Sequence, residues 1–270
     1  MATPVFSQSQ DKIDRLEKIE NNSKDTFKLI IRDKAILVEQ DDGEMRISVG
    51  KKAYIKKSKT FKGHLGGVGF GFNGFLTDYW SSSLNPGEEY FDINTTKSIA
   101  WNFFLPDVSL KITRNIGLVS TLGLTLNNYH FDNNNSIIKD NYGVIGPLYP
   151  APGVNYKKSK LNAGYATIPV VLEFQIPVNG SSRKNVYVSG GVIGAVKLWS
   201  KTKVVWHDNG GKHKKKEKDD FSLNVLRWGA TARAGYRDFQ VYGTTYFTQM
   251  FEKGKGPELY PFEVGIALSF

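Results

Sequence analysis

"LYPFEVGIALSF", Leu259 to Phe270, closes the chain. Its even positions are Tyr260, Phe262, Val264, Ile266, Leu268 and Phe270, and its odd positions are Pro261, Glu263, Gly265, Ala267 and Ser269. Side chains alternate between faces along a β-strand, so this stretch carries one bulky apolar face and one face of small or polar groups. Chain ends fray unless something ties them down. A strand this regular, apolar on one side through its final residue, implies that the last side chain is used.

The same two-residue period recurs upstream. In "GGVGFGFNGFL", Val68, Phe70 and Phe72 share a face opposite Gly67, Gly69, Gly71 and Asn73. Ile99 to Thr113 alternates through Trp101, Phe103 and Leu105, slips at Pro106-Asp107 as at a β-bulge, and resumes with Val108, Leu110 and Ile112. After Arg114-Asn115, Ile116, Leu118, Leu122, Leu124 and Leu126 form the apolar side of a third strand. Leu161–Ile176 and Val186–Trp199 supply two more, and Leu223–Tyr236 a sixth. "FQVYGTTYFTQM" is a seventh whose outward face the pattern leaves unassigned, and the closing stretch is the eighth.

Between these strands long and short connections alternate: long at 77–98, tight at Arg114-Asn115, long at 132–160, short at 177–185, long at 200–222 and tight at Arg237-Asp238, with a moderate one at 251–258. Short turns at one end and long loops at the other are the habit of an outer-membrane barrel, and eight strands satisfy its even count. The faces agree. A soluble barrel turns its bulky apolar face inward and clothes the other in Lys and Glu. Here the second face is mostly Gly, Ala, Ser, Thr and Asn, which suits the narrow lumen of eight strands. The apolar face carries no Asp, Glu, Lys or Arg in the seven assigned strands. The fold class expected is therefore all-β, an eight-stranded antiparallel up-and-down transmembrane barrel over residues 61–270 with a small polar N-terminal extension over 1–60.

Composition is compatible with this. The chain has 270 residues, 40% hydrophobic and 13% aromatic, with 27 Gly, no Cys and a net charge of +10. A mean hydropathy of −0.35 excludes a helical membrane protein, since no apolar run nears the ~18–20 residues that a spanning helix needs. Without Cys there is no disulfide framework and no thiolate chemistry. The positive charge favours anionic partners. In the extension, "ATPVFSQ" reads like the tail of a signal peptide, Asp11–Glu20 like a short helix, and the alternating runs "FKLIIRDKAILVEQ" and "MRISVGKKAYIKK" around Asp41-Asp42-Gly43 like a hairpin. Aromatics near strand ends, Tyr129 with Phe131, Trp199, Tyr236, and Tyr260 with Phe262, are expected at the headgroup level.

"FKGHLGGVGFGFNGFL", "NNYHFDN" and the "LYPFEVGIALSF" ending together resemble the PorT-like outer-membrane β-barrel proteins of Bacteroidetes, a porin-family group, over roughly Phe61–Phe270. The resemblance implies an outer-membrane barrel of a Gram-negative bacterium, its polar extension in the periplasm, and carries no catalytic residues with it. By resemblance also, Tyr260, Phe262, Val264, Ile266, Leu268 and Phe270 form the terminal signal read by the outer-membrane assembly machinery.

Chemistry-bearing patterns are sparse. Gly69-Phe-Gly71-Phe-Asn-Gly74 matches a dinucleotide fingerprint but lies inside a strand rather than before a helix. His64, His130, His207 and His213 have no metal-ligand spacing and read as surface histidines. No nucleophile is paired with a base, so no enzyme, cofactor or metal is expected. Lys111, Glu173 and Arg233 should face the lumen in one half, and Lys197, Arg227 and Glu263 in the other. Charges in a narrow interior must be compensated, which predicts a cluster of Glu173 with Arg233 and Lys111, and one of Glu263 with Arg227 or Lys197. "GGKHKKKEKDD" reads as a solvated loop tip, with Lys212, Lys214, Lys215, Lys216 and Lys218 available to lipopolysaccharide phosphate. Nucleic acid is not expected, because the aromatics are spent on strand faces. The loop Asp140–Tyr156 is a candidate docking surface or a folded cap. The function expected is a structural or protein-interaction role in the envelope. The alternatives are a narrow solute pore, using the same charges as a constriction, and a soluble lipocalin-like binder with Phe70, Phe72, Leu122 and Leu124 lining its cavity.

Overall fold

The computed structural model describes residues 26–31, 34–41, 44–51, 61–77, 81–178, 181–208 and 211–270. The signal-peptide and short-helix readings fall outside these residues. In the extension, β1 (Thr26–Ile31), β2 (Lys34–Asp41) and β3 (Glu44–Lys51) form an antiparallel meander. The expected hairpin is its β2–β3 half, with Asp41 opposite Glu44. The run before it, read as one segment, is two strands that pair with each other from Ile31 opposite Lys34.

The main sheet closes on itself. Its wall consists of β4 (Gly67–Leu76), β5 (Ile99–Phe104) continued past a bulge by β6 (Val108–Lys111), and β7 (Ile116–Ser120) continued by β8 (Gly123–His130). It is completed by β11 (Tyr156–Val178), β12 (Ser181–Asp208), β14 (Leu226–Tyr236), β15 (Phe239–Tyr246) and β16 (Tyr260–Ser269). Each pairs antiparallel with its sequence neighbour, and β16 returns to β4 with Ser269 opposite Gly67 and Tyr260 opposite Leu76. Counted around the wall there are eight strands, and the pairing of β16 with β4 closes the ring. Tight turns close one end. At Arg237 the backbone takes φ 56°, the left-handed region that a two-residue hairpin turn demands.

The outward positions of the wall strands are predominantly bulky and apolar. Phe72 is 44% and Ile266 48% exposed, whereas their neighbours Gly71, Asn73 and Ala267 are buried. Phe72, Leu122 and their row therefore line no cavity, and the lipocalin-like alternative is lost. On β11 the outward apolar series runs Ile168, Val170, Leu172, Phe174, Ile176. At ~3.3 Å per residue and a tilt of ~40° this covers about 20 Å, close to the ~25 Å apolar band of outer-membrane barrels. The unassigned seventh strand turns Gln240, Tyr242, Thr244 and Tyr246 inward and Phe239 and Val241 outward.

At the long-loop end the chain builds a second core. Phe75, Phe91, Tyr129, Phe131, Leu161, Phe251 and Leu259 are among its buried members. Tyr129 and Phe131, expected among headgroups, instead point inward and cap the mouth. Phe91 meets Phe75, Phe131 and Phe251 edge-on at 5.0–6.4 Å. Long loops so rich in apolar side chains bury them over the top of the lumen. The loop after β8 contributes a small hairpin, β9 (Ser136–Lys139) with β10 (Ile145–Leu148). Lys139 ties it across to Asp219 and Asp220, at 2.6 Å each. The lysine-rich segment is not the loop tip expected. It is β13 (Gly211–Lys218), paired throughout with the end of β12 in a hairpin that rises beyond the barrel.

Candidate functional site: a filled lumen

Just before β4, residues 61–66 enter the lumen at the short-turn end. Phe61 and Leu65 pack there against Val119 and Val171. The polar groups of this segment are matched one by one to lumen side chains. Gly63 N–H donates to Ser109 Oγ at 3.0 Å, His64 N–H to Glu173 Oε2 at 3.2 Å and Leu65 N–H to Asp107 Oδ2 at 2.8 Å. In return His64 O accepts from Gln240 Nε2 at 2.9 Å. The His64 ring stacks on Tyr187, centroids 3.9 Å apart, with Nδ1 2.7 Å from Glu173 Oε1. Glycine is needed opposite it: a Cβ at Gly117 would meet the Phe61 ring at 2.5 Å. The segment is an internal plug, and His64, read as a surface residue, is its most engaged member.

Above the plug lies a second polar layer. Asn102 Nδ2 donates to Glu263 Oε1 at 2.6 Å and to Tyr242 Oη at 2.9 Å, and Thr125 Oγ1 donates to Asn102 Oδ1 at 2.6 Å. Tyr242 Oη also donates to Glu263. Two guanidinium groups complete the filling, each against aromatic rings. Arg233 sits 5.1 Å from the Phe104 centroid and 5.4 Å from that of Tyr242. Arg227 is held between Tyr165 and Tyr246 at 3.6 and 3.8 Å. Such cation–π contacts offset part of the cost of taking a guanidinium out of water.

Set against the sequence expectation, Glu173, Arg233, Arg227 and Glu263 all lie buried in the lumen, but the pairing differs. Among the described residues no ion pair joins Glu173 to Arg233 or Glu263 to Arg227. His64 and Gln175 hold Glu173, and Tyr242 and Asn102 hold Glu263. The stagger of the strands decides this, placing Arg233 directly opposite Tyr242 rather than a carboxylate. Lys111 keeps the lumen register, opposite Gly117, but stands at the rim and is exposed. Lys197 belongs to the upper cap, where its Nζ donates to Leu223 O at 2.6 Å and Asp220 O at 3.2 Å. Nothing in the residue pattern pointed to the plug.

Tyr260, Phe262, Val264, Ile266 and Leu268 share the outward face of β16, and Phe270, the residue after it, is 66% exposed at the short-turn rim. On β13, Lys212, Lys214, Lys216 and Lys218 take the outward register, while Lys215 faces the other way, 3.4 Å from Glu217. The glycine fingerprint lies wholly inside β4, and a Cβ at Gly71 would meet Tyr242 Oη and Glu263 at 2.6–2.7 Å. Among the described residues no group of His, Asp and Glu is placed to hold a metal ion.

A family profile described as "Outer membrane protein beta-barrel domain" matches residues 62–251. No curated protein matches the chain. Among solved structures, Ail, the attachment invasion locus protein of Yersinia pestis, is 9% identical with a TM-score of 0.27, the match covering 76% of this chain and 100% of that one. The same protein in complex with the heparin analogue sucrose octasulfate matches at the same identity and TM-score, over 75% of this chain and 95% of that one.

Proposed function

The chain belongs to the outer membrane protein beta-barrel domain family, and from that premise we propose that it is a plugged, non-enzymatic envelope barrel that works through its surfaces rather than its lumen. The observation that carries this reading is the Phe61–Gly66 segment, hydrogen-bonded into the barrel beneath the Asn102–Tyr242–Glu263 layer and the aromatic cap. A barrel filled in three tiers has no aqueous path of the kind a wide porin keeps.

The short turns and the extension lie in the periplasm in this reading, and the long loops face outward, following the usual asymmetry of such barrels. The extension and the Asp140–Tyr156 loop are then the surfaces open to other envelope proteins. That loop borders a cleft of about 670 Å³ shared with Tyr90 and Asn134, on which Tyr149 is exposed. The β16 outward row serves the assembly machinery. Within that family the barrel is of the PorT-like kind in this reading.

Single-channel recording on the refolded protein in planar bilayers tests it. No steady openings are expected. Steady ohmic openings would replace the plugged barrel with the narrow-pore alternative, in which Arg233 and Glu263 act as a constriction.

A further inference from the structure

Four strands continue above the apolar belt as a curtain, β8, β11, β12 and β13, and its outward face is basic. His130, Lys160, Lys203 and Lys216 stand directly opposite one another in a single row across all four strands. One step toward the membrane, Lys201 is opposite Lys218, and one step away, Lys158 and Lys214 flank Val205. Strand alternation on β8 and β11, and on β12 the register shift between Lys197 and Trp199, put these residues on the same side as Leu124, Leu126, Ile168 and Val196, the lipid-facing groups lower on the same strands.

Like charges directly opposite in a sheet are destabilising. Within these strand segments no outward position is acidic, since Glu217 points the other way. Asp132, two residues past His130 in the chain, accepts from Asn94 Nδ2 at 3.0 Å. Lys160 is half-buried, and its Nζ donates to Asn128 Oδ1 at 2.7 Å, so its charge is fixed in place rather than free to swing away. Burial, and then the neighbouring lysines, push the Lys160 ammonium down to about 8 and the His130 imidazole down to about 4. Among the described residues no carboxylate forms an ion pair with the lysines of the row.

Its height identifies the anion. Trp199 marks the upper edge of the belt on β12, and Lys201 Nζ lies 4.7 Å from the Trp199 ring centroid. The basic rows begin at that level and rise from it. We propose that this face binds the phosphate groups of a phosphorylated glycolipid of the outer leaflet, with acyl chains against the apolar wall below and phosphates across Lys160, Lys203 and Lys216. Lys215, on the opposite face of β13, takes no part. The inference rests on the long-loop end facing outward.

Purified protein in detergent is titrated with bis-phosphorylated lipid A, with dephosphorylated lipid A and with phosphatidylglycerol, and bound lipid is counted by native mass spectrometry. Bis-phosphorylated lipid A should bind most tightly. The combined change of Lys160, Lys203 and Lys216 to Gln should weaken it about tenfold, three solvent-facing charge contacts being lost, while Lys215→Gln leaves it unchanged. Migration of the unheated barrel on a gel verifies folding, and Lys203→Gln alone should show the same direction should the triple variant fail to fold. Equal binding of dephosphorylated lipid A or of phosphatidylglycerol, or an unchanged triple variant, would overturn the site. Separately, Lys215→Cys should react with an impermeant maleimide on intact cells. Absence of labelling would overturn the outward orientation, and with it the glycolipid as occupant, whatever the titration shows.

Discussion

Arginine placed at Leu172 gives the sharpest test of which medium touches the apolar face. Leu172 sits midway along the outward series Ile168–Ile176 of β11, about 10 Å from either end by strand rise and tilt. If that series meets hydrocarbon, Leu172→Arg costs ~2–4 kcal/mol, and Ile176→Arg, at the rim, only ~0–1 kcal/mol. A difference of ~3 kcal/mol is a factor of roughly 150 in the folding equilibrium. Val192 is opposite Val170 on the neighbouring strand, so Val192→Arg lies near the same depth and should cost about as much as Leu172→Arg. The assay is urea-dependent unfolding of the refolded barrel from lipid vesicles, followed by tryptophan fluorescence. A profile flat with depth, or a cost at Leu172 below ~1 kcal/mol, would refute the argument, because an arginine on a water-facing strand pays no such depth-dependent penalty.

Glu173→Gln should loosen the plug without unfolding the barrel: backbone amides of residues 63–66 should exchange faster, with local opening easier by ~1–3 kcal/mol, while protection in β11 stays high. Hydrogen exchange by mass spectrometry reads this, and unchanged protection at 63–66 would count against the plug's dependence on Glu173. Removing Phe270 should change urea stability by less than ~1 kcal/mol, since the ring is mostly exposed, yet lower the yield of assembled protein in cells. Equal yields would remove its role in assembly. The Lys139 contact holds the Asp220 carboxyl below its ordinary value, so this clamp is complete above the ordinary carboxylate range and is lost as pH falls through the lower folded value. Limited proteolysis of the β9–β10 loop should accelerate only in acid. Acceleration already at neutral pH in Lys139→Ala, and none in acid for that variant beyond it, would tie the effect to this pair.

The strand count, the closing of the wall and the identity of the outward face were legible in the residues themselves. Each rests on a period-two pattern within about ten residues, and on loops alternating between long and short, so no distant contact has to be known to read them. Glu173 and Arg233 were legible as lumen residues for the same reason. Their partners were not. Which lumen side chains meet depends on the stagger of eight strands around a closed ring, and that stagger put Arg233 beside Tyr242 and left Glu173 to a histidine 109 positions away. The plug was hidden because "FKGHLGG" has no periodicity and becomes intelligible only inside a barrel whose glycines leave room for it. The lysine row was hidden too: Lys160, Lys203 and Lys216 are scattered along the chain, and only the register of β11, β12 and β13 sets them side by side. By itself, then, the sequence determined which side of seven of the eight strands meets lipid, a local matter of alternating side chains. Tertiary structure alone decided what fills the lumen and where the positive charge concentrates, because both depend on strand register, which is set only when the ring closes.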